Sequence, residues 1–101
     1  MPVRVEGAGP ALVLLHGWAM HGGIFAPLVD ALRERFTLHL VDLPGHGRAR
    51  DSVQPLQLAP VAEALADALP RAPWVGWSLG GLVALQVAQA RPERVRGLAM
   101  L

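Results

Sequence analysis

The hexapeptide Gly76-Trp77-Ser78-Leu79-Gly80-Gly81 constrains this chain more than any other feature. The apolar run Trp74-Val75-Gly76-Trp77 before it reads as a strand. Leu82, Leu85 and Ala88 behind it, with Ala84 beside them, read as one helical stripe. A strand that becomes a helix through G-x-S-x-G must reverse abruptly, which forces the serine into a strained backbone conformation. Gly76 and Gly80 lack the Cβ atoms that would collide as strand and helix approach. The serine Oγ then projects at the carboxyl end of the sheet, where clefts form in open parallel sheets. The first N–H groups of a helix have no intrahelical acceptor, so that of Leu79 is free to face a developing oxyanion. The plainer alternative is a Gly-Ser-Gly turn that merely joins two elements. The strand before, the helix after and the extra Gly81 favour a nucleophile elbow.

The remaining chain alternates in the same way. Ala11–Leu15 is continuously apolar, as expected of a strand buried on both faces. Residues 36–41 and 95–101 supply two further strand-like runs. Phe25, Leu28, Val29 and Leu32 form a helical stripe, and Val61, Ala64, Leu65, Ala68 and Leu69 form another. Residues 48–60, with Asp51-Ser52 and two prolines, read as a surface loop. The predicted order is β-α-β-α-β-α-β, an α/β fold with helices on both faces of a mostly parallel sheet. The last strand runs into the chain end without a turn, so residues 1–101 are expected to be the amino-terminal portion of one truncated domain.

Composition narrows the function. With 52% hydrophobic residues and a formal charge of +1 over 101 residues, the chain has ample material for a core and no field for nucleic acid. It has no cysteine, which excludes disulfide-stapled and cysteine-ligated zinc modules. No apolar run approaches the length of a membrane span or a signal-peptide core, so a cytoplasmic protein with no membrane partner is expected. No cofactor is expected. His21, His39 and His46 lack metal-ligand spacing, and Gly7-Ala8-Gly9-Pro10 precedes a strand rather than opening a helix, unlike a phosphate-binding loop.

Nucleophiles are few: there is no Cys or Lys, one Thr (Thr37), and two serines, Ser52 and Ser78. Only Ser78 sits at a strand-to-helix junction. A second oxyanion donor must come from a loop beside the nucleophile, and Leu14-Leu15-His16-Gly17-Trp18 ends the first strong strand. Trp18 is therefore the candidate, through its N–H, with its indole lining an acyl pocket; alternatively its ring simply packs the core. His16, directly before a glycine at a strand end, is read as fixing the loop through ring hydrogen bonds rather than as a general base. Asp42, followed by Leu43-Pro44-Gly45-His46-Gly47, is read as a turn former whose carboxylate accepts loop N–H groups.

These three motifs, in this order and spacing, resemble the α/β-hydrolase superfamily, and the resemblance covers essentially the whole chain. The segments Phe36-Thr37-Leu38-His39-Leu40-Val41 and Trp77-Ser78-Leu79 are most similar to the esterases of biotin synthesis. Those enzymes remove the methyl ester from a pimeloyl group on acyl carrier protein. The resemblance implies Ser78 as nucleophile and the N–H groups of Trp18 and Leu79 as the oxyanion hole. It also implies that Trp18, Ser78 and Leu79 touch the acyl group. It places the family's catalytic acid, histidine and helical cap after the elements present here, so residues 1–101 alone are expected to be nearly inactive. It further implies an acyl ester substrate, possibly delivered on acyl carrier protein, and a monomer at full length. Other reaction classes on the same elbow are an acyltransferase, a lyase or a C–C hydrolase; a non-catalytic fragment is the remaining alternative.

Overall fold

The computed structural model describes residues 1–53 and 55–101. Its framework is a sheet of β1 (Val3–Gly7), β2 (Ala11–Leu15), β3 (Thr37–Val41), β4 (Ala72–Gly76) and β5 (Val95–Met100). In space these run β1-β3-β2-β4-β5. Helices α1 (Ala26–Leu32), α2 (Leu58–Ala68) and α3 (Leu79–Ala90) connect the strands. The pairs β2–β3, β2–β4 and β4–β5 are parallel, and β1 runs antiparallel to β3.

Continuous hydrophobicity in β2 follows from its place at the centre of the sheet. Leu12 and Leu14 face α1, joining Leu38, Leu40, Phe25 and Val29. Val13 and Leu15 face the other way, joining Val41 and Trp74 under Val61, Leu65, Val83 and Val87 of α2 and α3. Each such fully buried aliphatic side chain contributes roughly 1.5–3 kcal/mol relative to exposure. The sheet is thus covered on both faces, as the alternating sequence requires.

Three details depart from the expected boundaries. β1 is an additional strand: Val3 and Val5 alternate with Arg4 and Glu6, but the repeat is short and Val5 is exposed at the sheet edge. Helix α2 begins at Leu58, inside the expected loop 48–60, with Pro60 in its first turn, where a missing N–H costs nothing. Gln54 of that loop lies outside the described residues. The fourth strand starts at Ala72, and the ladder with β5 shifts register between Ala72 and Pro73, where a proline fits.

The strand order positions the site. The chain leaves β2 for β3 on one side, and then crosses to β4 on the other. Ligand crevices form at such a reversal, outside the carboxyl ends of the strands. Leu15 at the end of β2 is level with Gly76 at the end of β4, so the segments that follow them meet there. On its far side β5 has no partner strand among the described residues, and Leu98, Met100 and Leu101 are exposed. Among the described residues no helix is long and apolar enough to cross a membrane.

Candidate active site

Ser78 joins β4 to α3 with φ 51° and ψ −110°. Such a conformation costs a non-glycine residue on the order of 1–3 kcal/mol and persists only where its surroundings enforce it. Here they do. The Trp77 N–H donates to Leu15 O at 2.9 Å, and the Ser78 N–H donates to Leu101 O at 3.0 Å. The bend is thereby tied to the strands on both sides. A Cβ on Gly76 would collide with the Gly80 backbone, and one on Gly80 would collide with Leu15 O and lie 2.6 Å from His16 O. Gly76 and Gly80 are thus dictated by backbone contact.

The Ser78 side chain is exposed, and its hydroxyl has no hydrogen-bond partner among the described residues. The Leu79 N–H, at the start of α3, likewise finds no acceptor there. Across the crevice the loop after β2 lies directly against the bend: a Cβ on Gly17 would sit 2.9 Å from Trp77 Cδ1. The Trp18 N–H in this loop is also without an acceptor among the described residues. Trp18 is 67% exposed, so it does not pack the core. Its neighbour Ala19 has φ 63°, the other positive-φ non-glycine residue described. Both strained residues therefore flank one crevice.

Two buried histidines hold this loop to the one after β3. His16 donates from Nδ1 to Gly17 O (2.8 Å) and accepts the Leu43 N–H at Nε2 (2.9 Å). His46 donates from Nδ1 to Pro44 O (3.0 Å) and accepts the Ala19 N–H at Nε2 (2.9 Å). Each ring is thus a neutral imidazole with both nitrogens engaged, and neither has a nitrogen left for Ser78. The rings lie 5.0 Å apart, and Trp18 stands edge-on to His46 at 5.2 Å. Burial is the main influence that lowers the His16 pKa, against the opposing Gly17 hydrogen bond. Its protonation is therefore resisted in the fold, and stability falls as the pH drops below the ordinary histidine value. The role of His46 carries no sequence signal: nothing in a Gly-His-Gly turn points to a partner 27 positions away.

Asp42 behaves as expected of a turn former. Oδ1 accepts the Gly22 N–H at 2.7 Å, and Oδ2 accepts the Arg48 N–H at 3.1 Å. The Arg48 guanidinium lies 3.5 Å from the same oxygen. Burial pushes its pKa up, but the Gly22 and Arg48 hydrogen bonds outweigh that and leave it below the ordinary carboxylate value. A depressed carboxyl contributes stability above the unfolded-state pKa and loses it as the pH falls through the folded-state value. In Asp42→Asn the amide NH2 would face the Arg48 N–H, donor against donor. Urea unfolding at pH 7 should show a loss of about 1–3 kcal/mol, with a shallower acid limb than the parent; an unchanged acid limb would refute this account of Asp42.

Two apolar cavities open beside these loops. One of about 420 Å³ is lined by Trp18, Ala19, Pro44, His46 and Leu56. The other, of about 210 Å³, is lined by Ile24, Phe25, Leu28, Trp77 and Leu101. Among the described residues no group of three or more His, Asp or Glu is placed to hold a metal ion.

A strained, exposed serine at the switch point of a mixed sheet, glycine-locked on both sides, defines a class of fold. The chain belongs to the alpha/beta hydrolase fold family, whose model matches residues 10–101. Over all 101 residues it is 60% identical to the pimeloyl-[acyl-carrier protein] methyl ester esterase of Stenotrophomonas maltophilia (strain R551-3), covering 39% of that protein. It is also 60% identical to the esterase of the same name from Xanthomonas campestris pv. campestris (strain B100), covering 40% of it. Among solved structures, N-acyl homoserine lactonase AidH in complex with N-butanoyl homoserine superposes with a TM-score of 0.85 at 31% identity. That match covers 97% of this chain and 39% of the other. A marine microorganism esterase gives 0.84 at 27% identity, covering 97% of this chain and 40% of the other. The chain thus spans about two fifths of the length of these relatives.

Proposed function

We propose that the protein is a serine carboxylesterase that cleaves the methyl ester of a pimeloyl group carried on acyl carrier protein, a step of biotin synthesis. The observation that carries the serine mechanism is the exposed Ser78 at φ 51°, beside two N–H groups, of Trp18 and Leu79, without acceptors among the described residues. The acyl and carrier specificity is supported by the names of the two esterases above and by the apolar walls at Trp18 and Trp77.

In this reading the Ser78 Oγ attacks the ester carbonyl while a histidine base takes its proton. The tetrahedral oxyanion lies between the Trp18 and Leu79 amides, which are fixed before reaction and therefore stabilise developing charge without reorganisation. The base returns the proton to the departing methoxide, and methanol leaves an acyl-serine. Water, deprotonated by the same base, then attacks this ester and releases the free carboxylate and Ser78. Trp18, Ser78 and Leu79 contact the acyl group throughout. Residues 1–101 form the amino-terminal portion of the hydrolase domain, and the base and its acid are supplied by residues outside them.

A fluorophosphonate probe tests the nucleophile directly. With the product of the complete reading frame, peptide mapping is expected to find the probe on Ser78 at one equivalent. Labelling of another residue, or none, refutes the serine mechanism. A rate on methyl pimeloyl-acyl carrier protein no higher than on an acyl homoserine lactone refutes the substrate assignment while leaving the nucleophile standing.

A further inference from the structure

A third cavity, of about 340 Å³, lies toward the β1 edge of the sheet, over the β1–β3 pair, where Arg4 stands opposite Leu40. One strand, β2, separates that pair from β4 and the serine bend. Three guanidinium groups line it: Arg4 from β1, and Arg48 and Arg50 from the 3-10 turn after β3 and its cap. Its one lining acid, Asp42, is buried, and both its oxygens are already engaged by Gly22 and Arg48. Arg4 and Arg48 meet their carboxylate partners through Nε, which leaves their terminal nitrogens available. The Arg50 side chain has no partner among the described residues. His21 also lines the cavity. Its Nδ1 accepts the Gly23 N–H, so the neutral ring carries its proton on Nε2 as one more donor.

The three guanidinium groups stand against two carboxylates, Asp42 and the Glu6 paired with Arg4, which leaves one positive charge in excess on groups whose fork geometry suits tetrahedral oxyanions. A carboxylate ligand would offer only two oxygens to the three groups. A phosphate monoester carries about −1.5 to −2 at neutral pH and presents three strong acceptor oxygens, one for each of the three guanidinium groups. The cavity is also larger than a bare phosphate needs, which leaves room for an attached organic group. We propose that this cavity is a binding site for a phosphate monoester, separate from the ester-cleaving crevice. The assignment does not depend on the serine mechanism.

The test uses the product of the complete reading frame and three probes: phenyl phosphate, inorganic phosphate and phenylacetate. Binding is read by 31P line broadening for the first two and by thermal shift for all three. Phenyl phosphate should bind tightest, inorganic phosphate more weakly and phenylacetate weakest. Arg50→Gln, which removes no side-chain hydrogen bond or ion pair among the described residues, should weaken phenyl phosphate about tenfold, and Arg4→Gln should weaken it further. Fluorophosphonate labelling of Ser78 should be unchanged in Arg50→Gln, showing that the fold is intact. Phenylacetate binding as tightly as phenyl phosphate, inorganic phosphate binding in preference to the ester, or affinities indifferent to both substitutions would each overturn the proposal.

Discussion

Ser78→Ala in the product of the complete reading frame is expected to lower kcat for methyl ester hydrolysis by roughly 10⁴- to 10⁶-fold, with little change in KM. The size follows from the lack of a substitute at the bend. Residues 1–101 contain no cysteine or lysine, and their other serine, Ser52, lies in the segment after the β3 loop rather than at the bend. Residual rate would come from the oxyanion donors and from binding alone, which the substitution leaves in place. Alanine carries the same Cβ as serine into the φ 51° conformation, so the strain, and with it the unfolding midpoint, should change little. Steady-state kinetics beside a urea titration separates the two effects. A variant that folds normally and retains more than a hundredth of the parent kcat would remove Ser78 from the mechanism.

The largest expected effect on stability comes from Gly80→Ala. The added methyl would collide with Leu15 O and approach His16 O to 2.6 Å, and both are backbone atoms of the central strand and its exit. No rotamer change can relieve a clash between a Cβ and a main chain. Either α3 must move off β2, or the hydrogen bond from Trp77 N–H to Leu15 O must break. A cost of about 3 kcal/mol or more is expected, enough to unfold a domain of ordinary marginal stability. Gly97→Ala is the control. Nothing lies within 4 Å of its Cβ position, and its φ is not in the left-handed region, so its midpoint should match the parent. Equal stability of the two variants would mean that the contact between α3 and β2 is looser than described here.

Much of this architecture is legible in the residue order. The two-sided burial of β2 is written in five consecutive apolar residues, and the three helical stripes each became a helix. The hexapeptide around Ser78 was readable because its constraint is local: two glycines, a strand and a helix leave one way for the chain to turn. The loops that face it were not. Ala19 has no intrinsic preference for positive φ; it adopts that conformation where its N–H meets the His46 ring across 27 positions. β1 was missed because an edge strand has only one neighbour to satisfy and needs little hydrophobicity to pair. Pro60 suggested a loop because proline breaks helix interiors, yet the first turn of α2 accommodates it.

The two buried imidazoles divide the crevice into unlike halves. On the Trp18 side, main-chain segments are stitched together by ring nitrogens that leave no slack. On the Trp77 side, Ile24, Phe25, Leu28 and Leu101 line the wall with hydrocarbon, which tolerates repacking far better than a hydrogen-bonded seam does. Plasticity is therefore one-sided. Directed evolution for bulkier or slimmer acyl groups should find its gains among the aliphatic positions of that wall, whereas randomising the imidazole-stitched half would forfeit the scaffold before it broadened the pocket.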